Sequence, residues 1–201
     1  VSDPCFAENG FCVVEEFLPQ RDVVFLDIYT KLLKPKYEWM REDLGEEVYK
    51  GWLSRSVDVR AFTNPENFNL YGDPAVEALM FFLLEPVSKI VGHKVIPSYS
   101  YFREYFGKGS YLTAHKDRPA CEISVSANIT GGEQDWPFCL EDRKGKTHEV
   151  LLKPGMGLVY LGHDLLHWRP EKETEGPYKQ VFFHFVSQNP EKNAGLLNEI
   201  I

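Results

Sequence analysis

Residues 94–186 read as a succession of short segments rich in β-branched and aromatic side chains, cut apart by glycine and proline. Strands are predicted over 94–106, 121–129, 138–141, 149–152, 157–161 and 178–186. Gly107, Gly109, Gly131-Gly132, Gly145 and Pro154-Gly155 supply the turns. No helical periodicity lies between these segments. A parallel sheet needs a crossover of a dozen or more residues between neighbouring strands, so the strands must run antiparallel. Six or more of them fold into a sandwich or jelly roll. An aromatic content of 14% suits such a pleated core.

The front of the chain supplies helices to cover one face. Residues 11–17 form a first strand closed by Pro19. Val23, Val24, Leu26, Ile28, Leu32 and Leu33 then mark a one-sided helix over 20–33. Asp73-Pro74 begins another, because Asp accepts hydrogen bonds from free amides and Pro suits the first turn. Its apolar positions Val76, Leu79, Met80, Leu83, Leu84, Val87 and Ile90 run to Gly92, with Pro86 expected to bend or break it. Residues 36–70, where charge alternates with Trp and Tyr, are expected to form an irregular lid. The fold class is thus mainly β (α+β). Its 201 residues are expected to make one domain, with helical support over about 1–92 and a β core over about 94–186.

Charge and composition exclude several functions. A net charge of −8 repels a phosphate backbone, so nucleic acid is not an expected partner. No apolar run approaches the ~20 residues that cross a bilayer. Val1-Ser2-Asp3-Pro4-Cys5 shows no secretory pattern, and the four cysteines form no CxxC pair. Reduced thiols and a cytoplasmic location are the expectation.

Two segments concentrate chemistry: Tyr111-Leu-Thr-Ala-His115-Lys-Asp117-Arg118 and Gly162-His163-Asp-Leu-Leu-His167-Trp168-Arg169. On an extended chain, residues two apart share a face, so His115 and Asp117 present an imidazole and a carboxylate to one point. A second imidazole from a distant strand would complete a 2-His-1-carboxylate set, which leaves coordination positions open and suits non-haem Fe(II).

The runs Ser98-Tyr-Ser-Tyr101-Phe-Arg103-Glu-Tyr105, His115-Lys-Asp117-Arg118-Pro-Ala-Cys121-Glu122, Pro154-Gly155-Met-Gly-Leu-Val-Tyr160, His167-Trp168-Arg169 and Gln180-Val-Phe-Phe-His184 together resemble the 2-oxoglutarate/Fe(II) dioxygenase core. The likeness is to its prolyl-hydroxylase-like branch of bacteria and viruses, and it covers about half the chain. It implies a double-stranded β-helix, a jelly roll with supporting helices. It also implies Fe(II), 2-oxoglutarate and O2 as cofactor and cosubstrates, and hydroxylation of a C–H bond, with a peptidyl-prolyl or other amino-acid side chain as the default substrate. His115, Asp117 and His167 become the iron ligands, with His163 the rival for the third place.

In that family a Lys or Arg opening the last core strand holds the distal carboxylate of 2-oxoglutarate. Lys179 takes this role if its face of the strand is interior, with Arg169 the competitor. Tyr105 would line the pocket, and Asn128 would donate a further hydrogen bond. The remaining candidates have plain structural readings. Arg103 is expected to be a supporting residue, His184 a satisfied strand residue and Cys121 a core residue. Arg118 either pairs with Glu122 or touches substrate. A jelly-roll module that binds metal or ligand without oxidation is the alternative function. A buried Lys179 or Arg169 beside the metal favours the enzyme.

Overall fold

The long final strand organises the molecule. The computed structural model describes residues 2–44, 67–130 and 136–188. Its elements in chain order are α1 (Pro4–Asn9), β1 (Phe11–Val14), α2 (Gln20–Leu44), β2 (Asn67–Tyr71), α3 (Pro74–Val91), β3 (Val95–Tyr105), β4 (Leu112–His115), a 3-10 turn (Pro119–Cys121), β5 (Ile123–Thr130), β6 (Phe138–Glu141), β7 (Thr147–Val150), β8 (Gly157–Tyr160), β9 (His167–Arg169) and β10 (Tyr178–Ser187). A six-stranded sheet runs β1-β8-β5-β10-β3-β2 and a four-stranded sheet runs β4-β9-β6-β7, both antiparallel. The two sheets face each other as a double-stranded β-helix, a jelly roll backed by helices.

β10 pairs with β3 on one side and β5 on the other, and both of its faces are buried. Strand alternation divides them. Val181, Phe183 and Phe185 point toward the helices, into a core with Leu26, Met80, Val87 and Phe102. Phe182 points between the sheets, with Tyr101, Phe138, Leu140, Leu158 and Tyr160. Each fully buried ring or aliphatic chain contributes about 1.5–3 kcal/mol by leaving water.

Helix α3 starts as its sequence dictates. Asp73 accepts from the amides of Ala75 and Val76 at 3.0 and 3.1 Å, and Gly92 ends the helix at φ 85°. Val76, Met80, Leu83, Val87 and Val91 form its buried stripe. Pro86 neither breaks nor interrupts this helix. It lies on the exposed face, where the carbonyl of Phe82, freed of its usual amide partner, can turn to water. Helix α2 extends past the expected end at residue 33 to Leu44, through Pro35. Of the expected lid over 36–70, residues 36–44 are helical and 67–70 belong to β2, while 45–66 lie outside the described residues. Among the described residues no helix is long and apolar enough to cross a membrane.

Lys179 is on the helix-facing side of β10, with Val181 and Phe183, and not on the side that faces the second sheet. Its Nζ donates to Asp27 Oδ1 of α2 at 2.8 Å, and Lys31 donates to the other oxygen at 2.6 Å. The expected carboxylate anchor is instead a tie between helix and sheet. Burial pushes the Asp27 carboxyl up, but the hydrogen bonds from Lys179 and Lys31 outweigh it and hold the group below its ordinary value of 3.8. A depressed carboxyl stabilises the fold above its unfolded pKa, and that contribution disappears as pH falls. Lys179→Met is therefore expected to lower stability by about 2 kcal/mol at neutral pH. Its denaturant midpoint should also approach that of the wild type as pH falls below about 4. Chemical unfolding from pH 7 downward checks both.

Candidate metal centre

Strands β4 and β9 bring two histidines face to face: His115 ends β4 and is paired directly across from His167, which begins β9. Both rings make the same local bond. Nδ1 of His115 lies 2.7 Å from the Thr113 carbonyl oxygen, and Nδ1 of His167 lies 2.9 Å from that of Leu165. A carbonyl oxygen can only accept, so each Nδ1 carries the proton and each Nε2 is presented to the third group. That group is Asp117, whose Oδ1 is 3.6 Å from Nε2 of both histidines. The three ligand atoms all lie within 4.8 Å of one another. Two atoms 3.6 Å apart can both touch an ion between them, since metal–nitrogen bonds are roughly 2.1 Å long.

Asp117 is held from several sides. Its amide donates to the Gly162 carbonyl at 2.8 Å, and Ser124 Oγ donates to Oδ2 at 2.8 Å. The Ser124 oxygen, having given its proton to Asp117, accepts from His184 Nδ1 at 2.9 Å. A buried chain therefore runs from His184 through Ser124 to the free oxygen of the acid ligand, fixing its orientation. Gly162 is required by space, because a Cβ there would strike Ser124 Oγ, Asp117 Oδ2 and the Cys121 carbonyl.

The electrostatics follow. Burial pushes Asp117 up, yet the two histidine rings beside it prevail and hold it well below the usual carboxylate range. Burial pushes His115 down, while Asp117 and the Thr113 carbonyl raise it further, for a net increase. His184, with no carboxylate in direct contact, is driven by burial to about 4 and stays neutral. Burial likewise lifts the Cys121 thiol to about 12.

A cavity of about 280 Å³ opens on the triad, between it and a wall formed by Tyr71, Tyr99, Tyr101 and Phe182. Arg103 lines it, buried, with Nε on Asn69 Oδ1 and Nη2 on the Tyr101 hydroxyl, both at 2.8 Å. Sequence reasoning cast Arg103 as support. The missed signal is alternation on β3, which puts Tyr99, Tyr101, Arg103 and Tyr105 on one face.

The other candidates sit elsewhere. His163 is exposed, beside Asp164 and outside the cluster. Arg169 shares the interior face with His167 but lies behind the cavity wall, fully buried. It is clamped by the Trp136 carbonyl, Tyr178 Oη and Gln180 Oε1 at 2.8, 3.2 and 3.0 Å. Tyr105 packs edge-on against Trp136 and does not reach the open space. Asn128 Nδ2 donates to the Leu152 carbonyl and ties β5 to the β7–β8 connection. Glu122 accepts from Ser187, leaving Arg118 to the tyrosines.

No protein-family model matches this sequence, and no curated protein sequence does. Solved structures do resemble it in fold. A prolyl-4-hydroxylase from Pseudomonas putida aligns with a TM-score of 0.59 at 15% identity, covering 89% of this chain and 94% of that one. HygX from Streptomyces hygroscopicus, solved with nickel, 2-oxoglutarate and hygromycin B, aligns at 0.59 and 16%, covering 92% and 85%. SnoN, a non-haem α-ketoglutarate-dependent epimerase from nogalamycin biosynthesis, aligns at 0.66 and 10%, covering 90% and 80%.

The donor set of two neutral imidazoles and one ionised carboxylate fits a divalent first-row cation. Titration of the metal-free protein with Mn(II), followed by the loss of free-ion EPR signal, is expected to show one site. Asp117→Ala should abolish it. Gly162→Ala should weaken it by roughly 10- to 100-fold, as disturbing a ligand's support does.

Proposed function

We propose that this protein is an Fe(II)- and 2-oxoglutarate-dependent oxygenase that hydroxylates a C–H bond. The observation that carries the reading is the convergence of His115 Nε2, His167 Nε2 and Asp117 Oδ1 on one point at the edge of a cavity that also holds a buried guanidinium. An iron in this site, with 2-oxoglutarate and O2, supplies the oxidising power: 2-oxoglutarate leaves as succinate and CO2, and one oxygen atom enters the substrate C–H bond.

The chain's own residues have separable tasks. His115 and His167 keep their Nδ1 protons on backbone carbonyls, so both Nε2 lone pairs stay available without rearrangement. Asp117, oriented by Ser124, offsets part of the metal's charge. The six-stranded sheet buries the far side of the site behind Tyr160 and Phe182, which excludes water from everything but the cavity mouth.

Arg103 is the cation placed to take the distal carboxylate of 2-oxoglutarate. It lines the cavity, lies in the strand next to the start of β10, and has no carboxylate partner among the described residues. This replaces Lys179, which is committed to Asp27 on the other face. A buried cation at the metal also separates the enzyme from a binding module, whose pocket would need no such group. The likeness to a prolyl-4-hydroxylase in fold makes amino-acid side chains the first substrates to test.

Succinate release from 2-oxoglutarate should require added Fe(II) and fall to background in His115→Ala and Asp117→Ala. Release that persists in either variant overturns the assignment. Arg103→Met is expected to raise the apparent KM for 2-oxoglutarate by roughly 10- to 100-fold, the worth of a lost charged hydrogen bond. Lys179→Met should leave it unchanged.

A further inference from the structure

The cavity carries more positive charge than a metal and one cosubstrate explain. The chain as a whole has a net charge of −8. The groups around this one space are Arg103, Lys116 and Arg118 against a single carboxylate, Asp117. Asp117 faces the two histidines, and 2-oxoglutarate brings two carboxylates, one for the metal and one for Arg103. Lys116, which is exposed, and Arg118 are then left over, and Arg118 has no carboxylate partner among the described residues.

Its surroundings show a prepared position and not a stray surface arginine. Nη2 donates to the Tyr71 hydroxyl at 2.5 Å and Nε to the Tyr99 hydroxyl at 3.2 Å, and the guanidinium lies 4.6 Å over the Tyr99 ring. The phenols thereby use one edge of the fork, Nε and Nη2, in a residue that lines the cavity. Tyr71 and Tyr99 pack with centroids 4.7 Å apart and planes tilted by 31°, and they continue into Tyr101 and Phe182, an aromatic wall that shares the cavity with Arg118 and the His115, Asp117 and His167 cluster. Such a wall accepts a flat or compact apolar body, and the three cations repel a positively charged one. At about 280 Å³ the cavity stands at the small end of ligand sites, which run from roughly 300 Å³.

We infer that the primary substrate is a small organic acid whose anionic group is held by Arg118 while its apolar body lies along Tyr71, Tyr99 and Tyr101. This rests on the oxygenase reading and deepens it. A prolyl residue inside a peptide has no carboxylate of its own to offer, so the inference favours a free acid over a peptidyl-prolyl substrate.

The test is isothermal titration calorimetry with matched acid and amide probes: N-acetyl-L-proline against its amide, and benzoate against benzamide. Each is titrated into protein loaded with Mn(II) and 2-oxoglutarate, and into metal-free protein. The acids are expected to bind at least roughly 10-fold more tightly than the amides, and Arg118→Gln should erase that preference while Arg118→Lys restores part of it. The affinities of both variants for Mn(II) and 2-oxoglutarate should match those of the wild type. If Arg118 merely braces the tyrosines, Arg118→Gln weakens acids and amides alike, which overturns the inference. It also falls if no acid binds at millimolar concentration, or if Arg118→Gln loses affinity for 2-oxoglutarate. Failure of Mn(II) to bind refutes the oxygenase reading alone, because the acid preference is still read in the metal-free titration.

Discussion

Strand alternation along β10 decides what every other element can do. The strand is paired on both edges and covered on both faces, so each residue must belong to one of two interiors. Val181, Phe183 and Phe185 commit one face to the helices, and the opposite face, with Gln180, Phe182 and His184, is left for the space between the sheets. Polar groups follow the same rule. Lys179 is carried to Asp27 and Gln180 to Arg169, and His184 is carried to Ser124 beneath the acid ligand.

His115, His167 and Asp117 are held in place by the chain alone. Turning a free imidazole and choosing its tautomer both carry an entropic cost, and here two backbone carbonyls have already met it. Asp117 has its backbone pinned to Gly162 and its outer oxygen pinned to Ser124. The repulsive part of the arrangement, an ionised acid in a mostly buried place, is relieved by the two histidines themselves.

Much of this was legible in the sequence. The antiparallel core followed from turn glycines without intervening helices, and the pairing of His115 with Asp117 from extended-chain periodicity. Other features were hidden for physical reasons. Residues 181–186 are almost wholly apolar, so no alternation marks which side of β10 faces the site, and Lys179 was assigned to the wrong side. Arg103 looked ordinary because burial beside a cavity depends on β2 and β10, both distant in sequence. Strands β2 and β9 are too short for periodicity to register, and Pro86 sits harmlessly where only tertiary packing could tell that its face is exposed.

The crowding around Gly162 has a consequence beyond this molecule. Because any side chain there would displace the carboxylate, that single glycine marks chains in which His115, Asp117 and His167 can keep this arrangement. A related chain that keeps all three donors yet carries alanine or serine at this position must hold its carboxylate in a different place.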